Sequence, residues 1–242
     1  MINTIIVIPC YNEASRIQMP LFEEFVRNQE NIAFLFVNDG STDQTLELLI
    51  EASNRSNRLQ YLDLAKNSGK AEAVRQGLLQ AAQNDQIAYI GFWDADLATP
   101  LAEIVPALNM MQINDFEMIT GLRLTRLGAK VTRTAMRHFL GRIFATIAAN
   151  ILKINVYDTQ CGAKLYKKEL IRLLFDQPFI TRWFFDVEIL ARYRQLFGKE
   201  KANSAIYEYP LMTWNDVQGS QLKFGDFFKA PLELLKIRKK YR

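Results

Sequence analysis

Between Thr4 and Leu122, short apolar runs alternate with helical patterns, and this alternation limits the fold more than any other feature. TIIVI (4–8), AFLFVND (33–39), LQYLDL (59–64), IAYIGFWD (87–94) and EMITGL (117–122) read as strands. EASRIQMPLFEEFVRN (13–28), TDQTLELLIEASNRS (42–56), GKAEAVRQGLLQAAQ (69–83) and PLAEIVPALNMMQ (100–112) repeat apolar residues every three or four positions, which predicts helices. Pro20 is expected to kink or break the first helix, and Thr42 with Asp43 to open the second. Such alternation implies an α/β fold with a doubly wound, mainly parallel central sheet. Parallel strands are covered on both faces, so their runs are apolar throughout. Ligands gather outside the carboxyl ends of such strands. The segment PCYNE (9–13) therefore turns polar where the chain leaves the sheet and a site is expected.

The second half reads differently. VTRTAMRHFLGRIFATIAANILK (131–153) predicts one long amphipathic helix, with Val131, Ala135, Phe139, Ile143, Ile147 and Ile151 on its apolar face and Arg133 and Arg137 together on another. A helix around 183–197, a strand near 205–211 and a basic tail, FKAPLELLKIRKKYR, follow. No linker-like stretch divides the chain, so one domain is expected over 1–242, with a C-terminal helical elaboration.

Composition closes off several classes. At 49% hydrophobic and 23% charged, the 242 residues are those of a folded globular chain. The net charge of +4 suits anionic ligands or an acidic membrane surface and is too small to argue for nucleic acid without a basic stripe. Two cysteines, Cys10 and Cys161, make no disulfide framework and fit a reducing compartment. A single histidine, His138, removes the usual zinc spacings and argues against a Ser-His-Asp triad. The N-terminus does not read as a signal peptide, and IFATIAANIL (143–152) is too short to span a bilayer.

FWDADLATP carries the sharpest chemical signal. Asp94 and Asp96, one residue apart at a strand end, are expected to point the same way from an extended segment and reach one hard cation. The bland alternative is a turn whose Asp caps the next helix. Asn38 and Asp39 close another strand, where Asn-Asp-Gly-Ser also favours a plain turn. Gly69 and Lys70 stand at a helix start, favourable for an anion. No P-loop and no G-x-G-x-x-G is present, which argues against kinases, GTPases and dinucleotide dehydrogenases.

Four strand ends, at 9–13, 38–41, 67–70 and 94–96, would converge on one sheet edge. That ordered set resembles the family 2 glycosyltransferases of the GT-A fold, which open with P-x-Y-N-E, continue with V-D-D-G-S-x-D-x-T and carry a D-x-D. DTQCGAKLY (158–166), RWFFDVEIL (182–190) and WNDVQGSQL (214–222) are similar to segments of the polyprenyl-phosphate sugar synthases, above all of the dolichyl-phosphate glucose synthase branch.

The resemblance implies a hexosyltransferase that moves glucose, with inversion, from a nucleoside-diphosphate sugar to a polyprenyl phosphate. UDP-glucose is the donor expected and GDP-mannose the alternative. Mg²⁺ or Mn²⁺ is the implied cofactor. Residues 1–122 would form the nucleotide-binding half and 123–242 the acceptor-side half. Pro9, Tyr11 and Glu13 would line the base and ribose, Asp39 would face the base, and Lys70 would lie near the nucleotide. Asp94 would contact ribose or metal, and Asp96 the metal on the diphosphate. Arg123, Arg133 and Arg137 would hold the donor and acceptor phosphates. Gln160, Cys161 and Gly162 would form the sugar-side loop, and Trp183, Asp186 and Glu188 would flank the acceptor.

Three departures stand out. Asn38 replaces the first Asp of the family's D-D. Ala98 stands where the mannose branch carries Gln, which favours the glucose branch. Gly219-Ser220-Gln221-Leu222 replaces G-S-K-L, which leaves phosphate grip to Arg133 and Arg137. A lipid phosphate is already ionised at neutral pH, so it needs a general base less than a sugar hydroxyl does. A cytoplasmic enzyme held peripherally at the inner membrane face, on lipid or on a membrane-protein partner, follows. Two alternatives remain open: the same fold acting on a sugar hydroxyl in glycan assembly, with Asp186 or Glu188 as base, and a non-catalytic basic module that binds anions or lipid.

Overall fold

A computed structural model describes residues 2–132, 135–216 and 224–241, with the helical positions 135–140, 143 and 224–231 described as backbone only. In chain order the elements are β1 (Thr4–Cys10), α1 (Met19–Asn28), β2 (Ile32–Asp39), α2 (Thr45–Arg55), β3 (Leu59–Leu64), α3 (Lys70–Ala81), β4 (Tyr89–Trp93), α4 (Ile104–Ile113), β5 (Met118–Leu122), β6 (Lys130–Thr132), α5 (Ala135–Leu152), β7 (Ala163–Lys167), α6 (Glu169–Phe175), α7 (Phe185–Ala205), β8 (Ile206–Pro210), β9 (Thr213–Asn215) and α8 (Phe224–Lys240). The architecture is mixed α/β with mainly parallel strands, as the alternation predicts. The chain divides into two compact units, Met1–Leu97 with Ala163–Pro178, and Ala98–Gly162 with Phe179–Arg242.

In the first unit, β1 pairs in parallel with β2 and β4, β2 pairs in parallel with β3, and β7 runs antiparallel to β4. Every residue of β2 is buried and β1 is almost wholly so, which is why their runs are unbroken hydrophobe. Helix α3 lies very close to this sheet. A Cβ built on Gly77 would stand 2.5 Å from Val7 and 2.7 Å from Val37, so only glycine fits there. On the other side Phe22 packs edge-on to Phe34 and Phe36, each at 5.0 Å.

β1 runs on through Pro9 to Cys10, two residues beyond the predicted strand. Pairing with β4 stops at Val7, so Pro9 lies where the strand is paired with β2 alone and its missing N–H is tolerated. Pro20 neither kinks nor breaks a helix. α1 starts at Met19, which puts the proline in the first turn, where no intrahelical N–H is needed.

In the second unit, β5 pairs in parallel with β8 and β6 with β9. The predicted helix over 131–153 is shorter: Val131 belongs to β6 and α5 begins at Ala135. Its buried stripe is Phe144, Ala145, Ala148 and Leu152, one position out of phase with the predicted one, and Ile147 faces solvent. Phe144, stacked on Phe184 at 4.7 Å, sets that phase. α7 carries a break at Gly198, whose φ of 84° is left-handed. No helix among the described residues is long and apolar enough to cross a membrane.

Candidate active site

Hydrogen bonds join the carboxyl ends of β1 to β4, one pair of loops after another. Between the loops after β1 and β2, Asn12 N–H donates to Ser41 Oγ (3.0 Å), Glu13 N–H to Thr45 Oγ1 (2.9 Å), and Ala14 N–H to Asp43 Oδ2 (3.1 Å). Thr42 N–H answers with a bond to Asn12 Oδ1 (2.8 Å). Asp43 also accepts the Thr45 amide at 3.0 Å, so the residue expected to open α2 does serve its first turn.

Asp39 ties the β2 end to the β3 end. Its Oδ1 accepts Ser68 N–H at 2.7 Å and its Oδ2 accepts Gly69 N–H at 2.8 Å. The residue is only 2% exposed, so its charge is spent on backbone amides that open α3. The loops touch so closely that a Cβ on Gly40, at φ +62°, would meet Asn67 N at 2.5 Å. Asn38 Nδ2 donates to Asp63 Oδ1 (2.7 Å) and its Oδ1 accepts Ser41 N–H (3.3 Å). An aspartate there would set two carboxylates against each other, which gives the Asn-for-Asp departure a local reason.

Lys70, the first residue of α3, donates its ammonium to Asp94 Oδ1 and so joins the β3 and β4 ends. β4 stops at Trp93, and Leu97 N–H closes a turn onto Asp94 C=O at 3.2 Å. Asp94 and Asp96 therefore lie on a turn, with Leu97 at φ +53°, and not on the extended segment the alternation argument required. Arg16 completes the group. Its hydrogen bonds to Glu13 (2.9 and 2.5 Å), together with the charges of Glu13 and Asp96, hold the guanidinium above its ordinary pKa. Nothing in the sequence reading singled out Arg16. Its spacing three residues after Glu13 was the available signal.

Tyr11 stands out to solvent at the rim, 36% exposed, and Glu13 is nearly buried. Burial, helped by the Glu13 charge, pushes the Cys10 thiol far up, so it is an inert packing residue. Cys161 is likewise buried.

The chemistry of this group fits a hard dication. Two carboxylates on one turn, with Asp94 side chain 31% exposed, supply oxygen donors. No cluster of three or more His, Cys, Asp or Glu able to hold a metal occurs among the described residues. The remaining ligands would have to come from a bound phosphate and water, the usual habit of Mg²⁺.

The second unit uses its charges otherwise. Arg123 donates Nε and Nη2 to Asp158 at 2.7 and 2.8 Å, with its guanidinium 5.4 Å from the Trp214 ring centre. Asp158 also accepts the Gln160 amide at 3.2 Å. Glu208 takes the amides of Tyr157 and Asp158, and burial raises its pKa against those bonds. On α7, Glu188 is fully buried. It accepts Arg192 Nη2 (2.8 Å), Tyr241 O–H (2.6 Å) and Ile180 N–H (2.9 Å), and so reads as a structural group, not the acceptor-side one expected. Asp186 is buried at the first turn of α7, while Trp183 is exposed. Arg133 and the segment 217–223, with Gly219-Ser220-Gln221-Leu222, lie outside the described residues, as does the side chain of Arg137.

Comparison with known proteins defines the class. The family model "Glycosyl transferase family 2" matches residues 5–175, and the chain belongs to that family. A dolichyl-phosphate beta-glucosyltransferase of Trichomonas vaginalis (ALG5C) is 32% identical over 252 residues, covering 98% of this chain and 71% of that one. The human dolichyl-phosphate beta-glucosyltransferase is 28% identical, over 98% and 75% of the two chains. The structure of glucosyl-3-phosphoglycerate synthase from Mycobacterium tuberculosis, solved with Mn²⁺, UDP-glucose and phosphoglyceric acid, superposes with a TM-score of 0.72 at 17% identity, over 98% and 80% of the chains. The chain is a glycosyltransferase.

Proposed function

We propose that this enzyme transfers glucose from UDP-glucose to a polyprenyl phosphate, with a divalent cation at Asp94 and Asp96. One observation carries the reading: four strand-end loops of the first unit are bonded into a single polar platform that ends in a half-buried pair of carboxylates. The relatives named as dolichyl-phosphate beta-glucosyltransferases support the sugar and the acceptor class. Mn²⁺ and UDP-glucose bound together in the Mycobacterium enzyme support the cation and the donor.

Bound there, the cation would neutralise charge developing on the leaving diphosphate. The chain's own residues do the rest. Asp39 fixes the loop before α3, and so fixes where Lys70 begins. Lys70 pairs with Asp94, and Arg16 feels the charge of Asp96, so both carboxylates have a cation near them before donor arrives. Tyr11 offers an exposed ring against which a base can stack. Residues 1–122 then serve as the nucleotide-binding half and 123–242 as the acceptor-side half, with Arg133 and Arg137 as its phosphate groups, since Arg123 is held in a largely buried ion pair by Asp158.

A phosphate acceptor is favoured over a sugar hydroxyl by the state of the second unit's carboxylates. A hydroxyl needs a base, yet Asp186 is buried and Glu188 is consumed by Arg192 and Tyr241. A lipid acceptor also implies work at a membrane surface, on the cytoplasmic side if UDP-glucose is the donor. The test offers UDP-glucose, labelled in the sugar, to polyprenyl phosphate and to free glycans in the presence of Mg²⁺ or Mn²⁺. Label in the organic extract is the expected result. Label in the water-soluble glycan, or none transferred, contradicts the proposal.

A further inference from the structure

The second unit contains a small basic cavity whose lining includes none of the residues assigned to donor or acceptor above. Its walls are the end of α5 (Ile151, Leu152, Lys153), the middle of α7 (Ala191, Arg194) and the last turn of α8 with the residue after it (Ile237, Arg238, Tyr241), and its volume is about 90 Å³. That is room for several water molecules or one compact ion. Three of the lining residues are cations and none is acidic. Glu188 comes nearest in bonding, through Tyr241, and its charge is matched by Arg192.

Ordinary structural duties explain Arg194 and, in part, Arg238, but not the backbone of Lys153. Arg194 Nη1 donates to Leu152 C=O at 2.8 Å and so caps α5. Lys153 and Arg238 are exposed and have no acidic partner among the described residues. Arg238 gains a little from the dipole of α8, as do Lys239 and Lys240 beside it. Lys153 is the odd one. It follows α5 with φ at +53°, in the left-handed region that glycine or asparagine normally fills at a helix end. A lysine there costs roughly 1 kcal/mol in backbone strain. Strain kept at one cavity wall, on a lysine with no acidic partner among the described residues, points to a ligand.

We propose that this cavity is a phosphate-binding site, separate from the donor site, for a phosphate group presented either by a lipid headgroup or by a small phosphorylated molecule. The apolar walls from Ile151, Leu152, Ala191 and Ile237 accept the carbon next to the phosphate, and the cations take its oxygens. Tyr241 holds the wall in place, since its hydroxyl donates to Glu188 and accepts Arg192 Nε at 3.1 Å. The site does not depend on the proposed donor or acceptor.

The test uses the full chain and two variants, Lys153→Gly and Arg238→Gln, singly and together. Lys153→Gly removes a charge while relieving the backbone, so a folded product is assured and its melting temperature should hold or rise. Binding of inorganic phosphate is followed by thermal shift, and binding to phosphatidylcholine vesicles with and without phosphatidic acid by flotation. The wild type should respond to at least one probe, and the double variant should lose affinity on the order of tenfold. Response to vesicles alone assigns the headgroup, and response to inorganic phosphate assigns the free anion. UDP-dependent stabilisation should be the same in all four proteins. Wild type and double variant that respond alike, or no response to either probe, overturn the proposal.

Discussion

Carboxylates are handled in opposite ways in the two units. In the first, Asp94 is about one-third exposed and its counter-ion is a lysine that is itself 42% exposed. In the second, Glu188 is wholly buried against a buried arginine, and Asp158 is nearly buried in a two-pronged grip on Arg123. Removing the lysine from Asp94 costs little in water, so that oxygen is available to a ligand. Removing the arginine from Glu188 would strand a charge in the core, so that oxygen is not. Exposure of the counter-ion, more than the presence of a carboxylate, separates a binding group from a scaffold group here.

Substitutions can break this contrast directly. Asp96→Asn should cut cation-dependent transfer by roughly a hundredfold or more, the scale for losing a charge-stabilising group at a reacting centre. Its unfolding free energy should stay within about 0.5 kcal/mol of wild type, as for other surface changes. Turnover assays beside urea titration check both halves, and undiminished turnover would remove Asp96 from the site. Glu188→Gln should do the reverse. Stability should fall by about 3–5 kcal/mol because the buried Arg192 loses its carboxylate counter-charge, with the urea midpoint moving and UDP affinity of the folded fraction unchanged.

Asp39→Asn sits between the two. Asparagine keeps one of the two carboxylate oxygens, so with the side chain in place one of the two part-buried N–H groups faces an NH2 instead, at a cost of roughly 1–3 kcal/mol. Both stability and UDP affinity should drop, which calorimetry on the same sample can register. The smallest effect concerns Glu208. Burial raises its carboxyl pKa in the folded chain, so the stability linked to its protonated form is full below the ordinary carboxyl range. It is lost as pH rises through the raised value. Wild-type stability measured against Glu208→Gln should therefore decline with rising pH over that window, and a rise would reverse the assignment.

Much of the first unit was legible because its signals are local. The sequence marks β2 to within one residue because its burial is written into an apolar run, and it marks Leu59–Leu64 with its true limits through the alternation of a largely uncovered strand in which only Leu59 is buried. β7 was missed. Its core carries Lys164, fully buried with its ammonium 5.4 Å from the centre of the Phe92 ring, and a charged residue masks the strand pattern. Pro20 was misjudged by position within the helix, not by chemistry. At the candidate site, residue types together with the family resemblance single out Asp39, Lys70, Asp94 and Asp96. They could not announce that Asp39 serves two backbone amides or that Asp94 and Asp96 share a turn, because both facts depend on which loops meet. Arg16 and the Asn38–Asp63 pair escaped for the same reason. In the second unit, the phase of α5 was set by Phe144 against Phe184, a long-range contact that periodicity does not contain.

The central claim is that the turn at Asp94–Leu97 binds a dication only together with a nucleoside diphosphate. Electron paramagnetic resonance of free Mn²⁺, titrated with protein in the presence and absence of UDP, measures this directly. The account predicts weak Mn²⁺ uptake alone, strong uptake with UDP, and loss of the UDP-dependent part in Asp96→Asn at unchanged melting temperature. Equal Mn²⁺ uptake by wild type and Asp96→Asn in the presence of UDP would contradict it.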